Sequence, residues 1–286
     1  MDVIDSHTHV ISADADRYPR APLGGHQSDW SKARPVNHDA LVAAMDQAGI
    51  AQAVVVQAST VYGHDATYVV EAVRAHPQRF VGVFSIDPLA DDAVEQMKRW
   101  IGEGLAGLRL FTTGSTMPGQ AHWLADEASY PAWDYAEANQ ISVCLQMTIA
   151  GIPMLRVLLA RFPKVRVLLD HLARPDLSDG PPYSRAEPLF GLAQFPGVHL
   201  KLTNRTIAAA GEGVSTADMF IPYAVNAFGA ERILWGSNFP AAEGALSDLL
   251  SQAKAAVASL PQSEQATIFA DAARSLYPTL TGAGRG

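Results

Sequence analysis

The sequence predicts an α/β protein of the (β/α)8, or TIM-barrel, class, and three observations predict it. Eight short strand-like runs alternate strictly with helix-like runs. Several of the strand runs are apolar at almost every position, as parallel strands buried on both faces are. The length, 286 residues, is near that of one eight-stranded barrel. Unbroken alternation implies a parallel sheet with crossover helices. A count of eight favours closure over an open, doubly wound sheet.

The elements follow in order. Strand Val3–Ser6 leads into a long segment, Val10–Val36, rich in Pro, Gly, Arg and His. Asn37 then reads as the N-cap of helix His38–Ala48, where Leu41, Met45 and Ala48 share a face and Gly49 stops the helix. Strand Ala53–Gln57 precedes helix Ala66–His76, which ends before Pro77. Strand Val81–Ile86 precedes helix Asp92–Ile101, which aligns Val94, Met97 and Ile101. Strand Gly107–Leu110 is followed by a second long segment, Thr112–Tyr130, and by a helix that starts on Pro131, a residue suited to a first turn, and runs to about Asn139. Strand Ile141–Met147 precedes a helix with Leu155, Leu158, Leu159 and Phe162 on one face. Strands Val165–Leu169, Val198–Leu202 and Ile233–Gly236 complete the set. Their helices are Ala186–Gln194, Ala217–Phe228 and the pair Leu246–Ser259 and Ser263–Leu276. The long loops after strands 1 and 4 fall on the C-terminal barrel face, where such loops act as lids. No linker, repeat or low-complexity tract divides the chain, so residues 1–286 read as one domain.

Composition excludes several function classes. Twenty-one Lys and Arg against 29 Asp and Glu give a formal net charge of −8, with no basic stripe. Neither nucleic acid nor an anionic membrane surface is an expected partner. A single cysteine, Cys144, rules out a disulfide within the chain. The opening MDVIDSHTHV lacks the pattern of a signal peptide, and no apolar run approaches ~18 residues. A cytoplasmic protein is the expectation, as a monomer or homo-oligomer.

The chemistry gathers at strand ends. Asp5-Ser6-His7-Thr8-His9 closes the first strand, and alternate residues of a strand share a face, so His7 and His9 project together into the barrel mouth. Paired imidazoles there bind a divalent metal, hydrogen-bond an anion or move protons. Val167-Leu168-Leu169-Asp170-His171 brings His171 to the same mouth. The eighth strand ends Trp235-Gly236-Ser237-Asn238-Phe239-Pro240 and delivers Asn238. Arg109, Arg174 and Arg205 all follow or end strands; in an acidic chain they suggest a carboxylate pocket, because guanidinium binds carboxylate in a fork. Gln146 on the fifth strand is placed to hydrogen-bond substrate, with Cys144 behind it in the core. Tyr18 is a candidate lid contact.

The pieces DSHTHV, VVVQAS, GLRLF, DHLARP, HLKLT, WGSNFP and ADAARSLYP, in this order along nearly the whole chain, resemble the amidohydrolase-related family of the amidohydrolase superfamily. Within it the match is to the lactonase-like branch, which includes metal-independent 2-pyrone-4,6-dicarboxylate lactonase. The resemblance implies an amidohydrolase-like barrel and metal-independent hydrolysis of a lactone or cyclic ester of a carboxylated small molecule, in catabolism. It implies that His7, His9 and His171 polarise the carbonyl while Arg109 and Arg174 hold the anionic groups. Two positions depart from the family pattern. Gln146 stands where metal-dependent members carry histidine, and Asn238 stands where an aspartate usually serves as base. An amide is a poor metal ligand and no general base. No cofactor is therefore expected, and a histidine, His171 first, is the candidate base. The alternatives are a divalent ion such as zinc on His7, His9 and His171 in a metal-dependent hydrolase or aromatic-acid decarboxylase, and a non-catalytic binding barrel.

Overall fold

The computed structural model describes residues 2–112 and 123–280. Eight parallel strands run in the order β1 to β8: β1 Ile4–Thr8, β2 Gln52–Val56, β3 Phe80–Ser85, β4 Gly107–Phe111, β5 Ser142–Gln146, β6 Arg166–Leu169, β7 Val198–Thr203 and β8 Ile233–Gly236. The barrel closes between its first and last strands. Asn238 donates its amide to the His7 carbonyl at 2.8 Å, and His9 donates to that of Phe239 at 2.9 Å.

Side-chain alternation divides each strand between two cores. Outward residues such as Leu200 and Leu202 pack under the helices. Inward residues, including Ile4, Val54, Val56, Val83, Leu168 and Leu234, form a second cluster with Ala273, Leu276 and Tyr277 of the C-terminal helix. That helix plugs one end of the barrel. The mouth at the strand C-termini is left for polar groups.

Helices His38–Ala48 and Ala217–Phe228 have the bounds read from the sequence. Asn37 accepts from the Ala40 amide at 2.8 Å, and Gly49 ends the first of them at φ 72°. Other expectations need correction. The span expected as helix Ala186–Gln194 holds only Glu187–Phe190 as α-helix, flanked by 3-10 turns, because Pro188 sits in the first turn and Gly191 follows closely. The C-terminal helix carries a π-helical turn at Thr267–Asp271. The first long loop is not structureless: it contains a 3-10 turn, Leu23–Gly25, and a short helix, Asp29–Ala33. Arg34 ties its end to the β8 loop, donating to the carbonyls of Pro240 at 3.1 Å and Ala241 at 3.0 Å. Of the second long loop, residues 113–122 lie outside the described residues, and the lid reading there lies with them. No described helix is long and apolar enough to cross a membrane.

Candidate active site

β1 is not a regular strand. Asp5 pairs with Ala53 and Thr8 with Val55, so three steps on β1 face two on β2. Such a bulge re-aims the side chains that follow it. Ile4 faces the interior cluster, and so does His7 three residues on, which strict alternation forbids. Asp5 pins the bulge: its Oδ1 accepts from the His7 amide at 3.0 Å and the Ser237 amide at 2.9 Å. Burial raises the Asp5 carboxyl to about 6 against the pull of those hydrogen bonds.

The three histidines meet. The ring of His7 lies 4.9 Å from that of His9 and 5.3 Å from that of His171, centre to centre. His171 does not arrive by strand register. β6 ends at Leu169, and His171, Leu172, Ala173 and Arg174 follow at φ values of 53–57°. Consecutive left-handed residues without glycine cost about 1–2 kcal/mol each. Strain of this kind persists where surrounding structure enforces it and concentrates at functional sites. The turn carries both His171 and Arg174.

Burial holds all three rings neutral. His9 and His171 are each pushed down to about 3, first by desolvation, and His7 falls well below its ordinary value for the same reason. Nearby Arg109 pushes in the same direction at each. The tautomers follow from the partners. His9 Nδ1 lies 2.8 Å from the Val56 carbonyl, which only accepts, so Nδ1 carries the proton and Nε2 a lone pair. His7 Nδ1 faces a donor and an acceptor, the Lys201 ammonium at 3.3 Å and Asp170 Oδ1 at 3.4 Å, so these two partners pull its tautomer in opposite directions. Its Nε2 is buried and has no partner among the described residues. His171 Nδ1 meets the Thr203 hydroxyl at 2.8 Å, a partner that serves either tautomer.

Below His7 lies an ionic group the sequence reading did not single out. Asp170 and Lys201 are both fully buried. Lys201 Nζ is 3.3 Å from Asp170 Oδ1, and Arg109 Nε is 2.9 Å from Asp170 Oδ2. Burial alone would raise the Asp170 carboxyl, but Lys201, His7 and Arg109 outweigh it and hold it well below the usual range. Burial would lower Lys201, but Asp170 and Cys144 together outweigh that and its pKa ends raised. Lys201 also donates to Cys144 Sγ at 3.1 Å, and Cys144 is core, as expected.

The remaining expected site residues divide. Arg109 is 6% exposed, tied to Asp170 and 3.4 Å from Gln146 Oε1, so it frames the site instead of standing open in it. Arg174 is half-buried, and its Nε has no hydrogen-bond partner among the described residues. Burial lowers its pKa first, then the charges of Arg205 and Arg109. Arg205 is exposed, yet close enough to act on both Arg174 and His171. Asn238 is half-buried at φ 60°, a left-handed position that Asn and Asp tolerate better than most residues. Tyr18 is not at the mouth. It is buried against Tyr68, with its hydroxyl on Glu71 of helix Thr67–Ala75, and packs the loop down. The loop aromatic at the site is Trp30, stacked on His9 at 5.4 Å.

The three histidines fit a divalent ion poorly. Among the described residues, the group of three potential ligands whose donor atoms lie within 4.8 Å of one another is elsewhere, at His38, Asp39 and His76. Gln146 and Asn238 offer amides. The Lys201 ammonium takes up one face of His7 and adds positive charge beside it.

Comparison with known proteins gives the family. The amidohydrolase family matches residues 4–279. L-fucono-1,5-lactonase from Burkholderia ambifaria is 29% identical over 119 residues, a stretch that covers 41% of this chain and 41% of that protein. A 2-pyrone-4,6-dicarboxylic acid hydrolase structure from Pseudomonas putida superposes with a TM-score of 0.78 at 22% identity, covering 98% of this chain and 99% of the other. A zinc-bound amidohydrolase from Burkholderia multivorans superposes at 0.77 with 23% identity, covering 97% and 99%. At these identities the structural matches bear on the fold alone.

Proposed function

The chain belongs to the amidohydrolase family, and on that premise we propose that it hydrolyses a lactone or similar cyclic ester of a carboxylated small molecule without a bound metal. One observation carries the reading: in a chain of net charge −8, Lys201 and Arg109 both pair with buried Asp170, and half-buried Arg174 beside them feels the like charges of Arg205 and Arg109 more than the opposite charge of Asp170. Arg174 Nε within that cluster has no partner among the described residues. Positive charge gathered around Arg174 is stabilised by an anionic ligand, and guanidinium takes carboxylate bidentately.

In this reading the two rings take complementary roles. With its proton on Nε2, the tautomer that the Lys201 ammonium favours, His7 donates to the lactone carbonyl oxygen and stabilises the charge that develops there. His9 Nε2 accepts a proton from water as the water oxygen bonds to the carbonyl carbon. The tetrahedral intermediate collapses, the ring C–O bond breaks, and His9 returns the proton to the leaving oxygen. The fixed lone pair makes His9 a better-placed base than His171. A pKa near 3, set first by burial and then by Arg109, is weak for that task; a bound substrate carboxylate offsets the Arg109 part and raises imidazole basicity to that extent. Trp30 stacked on His9 shields the pair from bulk water.

The test is a panel of lactones with and without carboxylates, assayed by acid release before and after chelation and dialysis. Carboxylated lactones should be hydrolysed at unchanged rate after chelation. Activity lost to the chelator and restored by stoichiometric zinc would overturn the metal-independent reading. Release of carbon dioxide from aromatic acids, with no lactone turned over, would overturn hydrolysis itself.

A further inference from the structure

We propose a second site, separate from the histidine group at the mouth, that binds a divalent transition-metal ion of the zinc class on His38, Asp39 and His76. His38 and Asp39 open helix His38–Ala48, and His76 caps helix Thr67–Ala75. His38 Nδ1 is 3.2 Å from Asp39 Oδ1 and 3.2 Å from His76 Nε2, and His76 Nε2 is 2.8 Å from Asp39 Oδ1. In a tetrahedral zinc site with bonds of ~2.0–2.1 Å, neighbouring ligand atoms stand roughly 3.3 Å apart. The triangle is close to that size before any ion draws it together.

Hydrogen bonding alone satisfies the triangle badly. Each neutral imidazole carries one proton. If both rings turn N–H toward Asp39, the two N–H groups crowd each other across 3.2 Å. If only one does, its N–H is shared between Asp39 and the other ring, whose lone pair still lies near the carboxylate. A dication accepts all three lone pairs at once. Two imidazoles and one carboxylate suit zinc and its neighbours, and disfavour calcium or magnesium, which prefer oxygen.

The surroundings suit a metal site. The histidine side chains are 15% and 23% exposed and Asp39 is 72% exposed, so the rings are held while one side stays open for a water ligand. On its far side His38 Nε2 lies 4.0 Å from Glu71 Oε1, a carboxylate placed to orient the ring. Glu71 also accepts from Tyr18, and Tyr68 packs between His38 and Tyr18 with ring centres 5.7 and 4.7 Å away. An ion here joins two helices behind the anchor of the first long loop.

Equilibrium dialysis of chelator-treated protein against Zn²⁺ alone, with metal analysis and a thermal scan, tests this. The wild type should take up one zinc per chain and show a higher Tm with zinc. His9→Gln should keep both responses, whereas His76→Gln and the more exposed Asp39→Asn should lose stoichiometric zinc and the Tm shift while still folding. Failure of the wild type to retain zinc, or zinc that survives His76→Gln and Asp39→Asn, overturns the site.

Discussion

Lys201 Nζ stands 3.3 Å from His7 Nδ1 and 3.3 Å from Asp170 Oδ1, all three side chains buried. The ammonium therefore does two things. It neutralises Asp170, and it competes with Asp170 Oδ1, 3.4 Å from the same nitrogen, in setting which nitrogen of His7 carries the proton. Lys201→Met keeps the length and removes the charge. It should cost about 3–5 kcal/mol of stability, the usual penalty for breaking a buried ion pair from one side. It should also lower kcat by roughly tenfold or more with little change in KM, because His7 can then turn a lone pair toward the carbonyl. Urea denaturation and steady-state kinetics check the two effects. A variant that loses stability but keeps kcat would reduce Lys201 to a structural role.

The fold was legible because its evidence is repetitive. Eight strand-like runs alternate with helix-like runs along the chain, and an error of one or two residues at an end does not change the topology. The histidine pair was legible for the right reason only in part, since the bulge between Asp5 and Thr8, invisible in the sequence, aims His7 inward. Lys201 and Asp170 left a signal that went unused. A lysine in the middle of an apolar strand must be buried or point outward, and a buried one needs a carboxylate. Trp30 and Tyr18 were indistinguishable in sequence, because which loop aromatic meets the mouth depends on the short helix Asp29–Ala33. His171 reaches the site by a left-handed turn that no local propensity predicts.

Arg109 and Arg174 look alike in the sequence and should behave differently. Arg174→Lys keeps the charge and loses the fork, so KM should rise by roughly tenfold with the fold intact. Arg109→Lys instead disturbs the Asp170 contact at 2.9 Å and should lower the unfolding midpoint more than it changes KM. Kinetics and denaturation on both variants decide the assignment. Equal KM effects with equal stability would contradict it.

Acid should destabilise the protein before its carboxylates are neutralised. His9 and His171 titrate near 3 when folded and near 6.5 when unfolded. Stability they contribute is complete above 6.5 and is lost as pH falls toward 3. Between pH 6.5 and 5 each gives up about 2 kcal/mol, at ~1.4 kcal/mol per unit. Asp5 works in the opposite sense. Its folded value near 6 lies above the ordinary 3.8, so its contribution is complete below 3.8 and lost as pH rises through 6. Falling from 6.5 to 5 recovers about 1 kcal/mol from it. The histidines win, and stability should drop by about 3 kcal/mol over that range. Urea midpoints at the two pH values measure it; a flat or rising midpoint counts against neutral buried rings. The same shifts remove the ascending limb near pH 6.5 that a histidine base would ordinarily give. The kcat/KM profile of the free enzyme should be level from pH 5 to 8 as far as His9 and His171 are concerned.

Asn238 decides whether this site departs from its family or has merely lost a residue. Its backbone role is independent of its side chain: the amide closes the barrel on His7 and the carbonyl accepts from Ala242 at 2.8 Å. At φ 60° aspartate is as well tolerated as asparagine, so Asn238→Asp should fold normally. If asparagine replaced a needed base, the aspartate would raise hydrolysis by ~10²–10⁴-fold. The histidine tautomers predict otherwise. On the proposed mechanism the lone pair of His9 Nε2 serves as the base, and Lys201 favours the donor tautomer of His7. A new carboxylate on the loop that closes the barrel at His7 repels an anionic substrate, so KM should rise and kcat/KM should fall. It would also raise the depressed histidine pKa values, since an added negative charge favours imidazolium. The variant should therefore acquire an ascending limb in its pH profile that the wild type lacks. Kinetics across pH 5 to 8 on wild type and Asn238→Asp separate the cases. A gain of a hundredfold or more would show that the histidines are not the base and that asparagine is a loss.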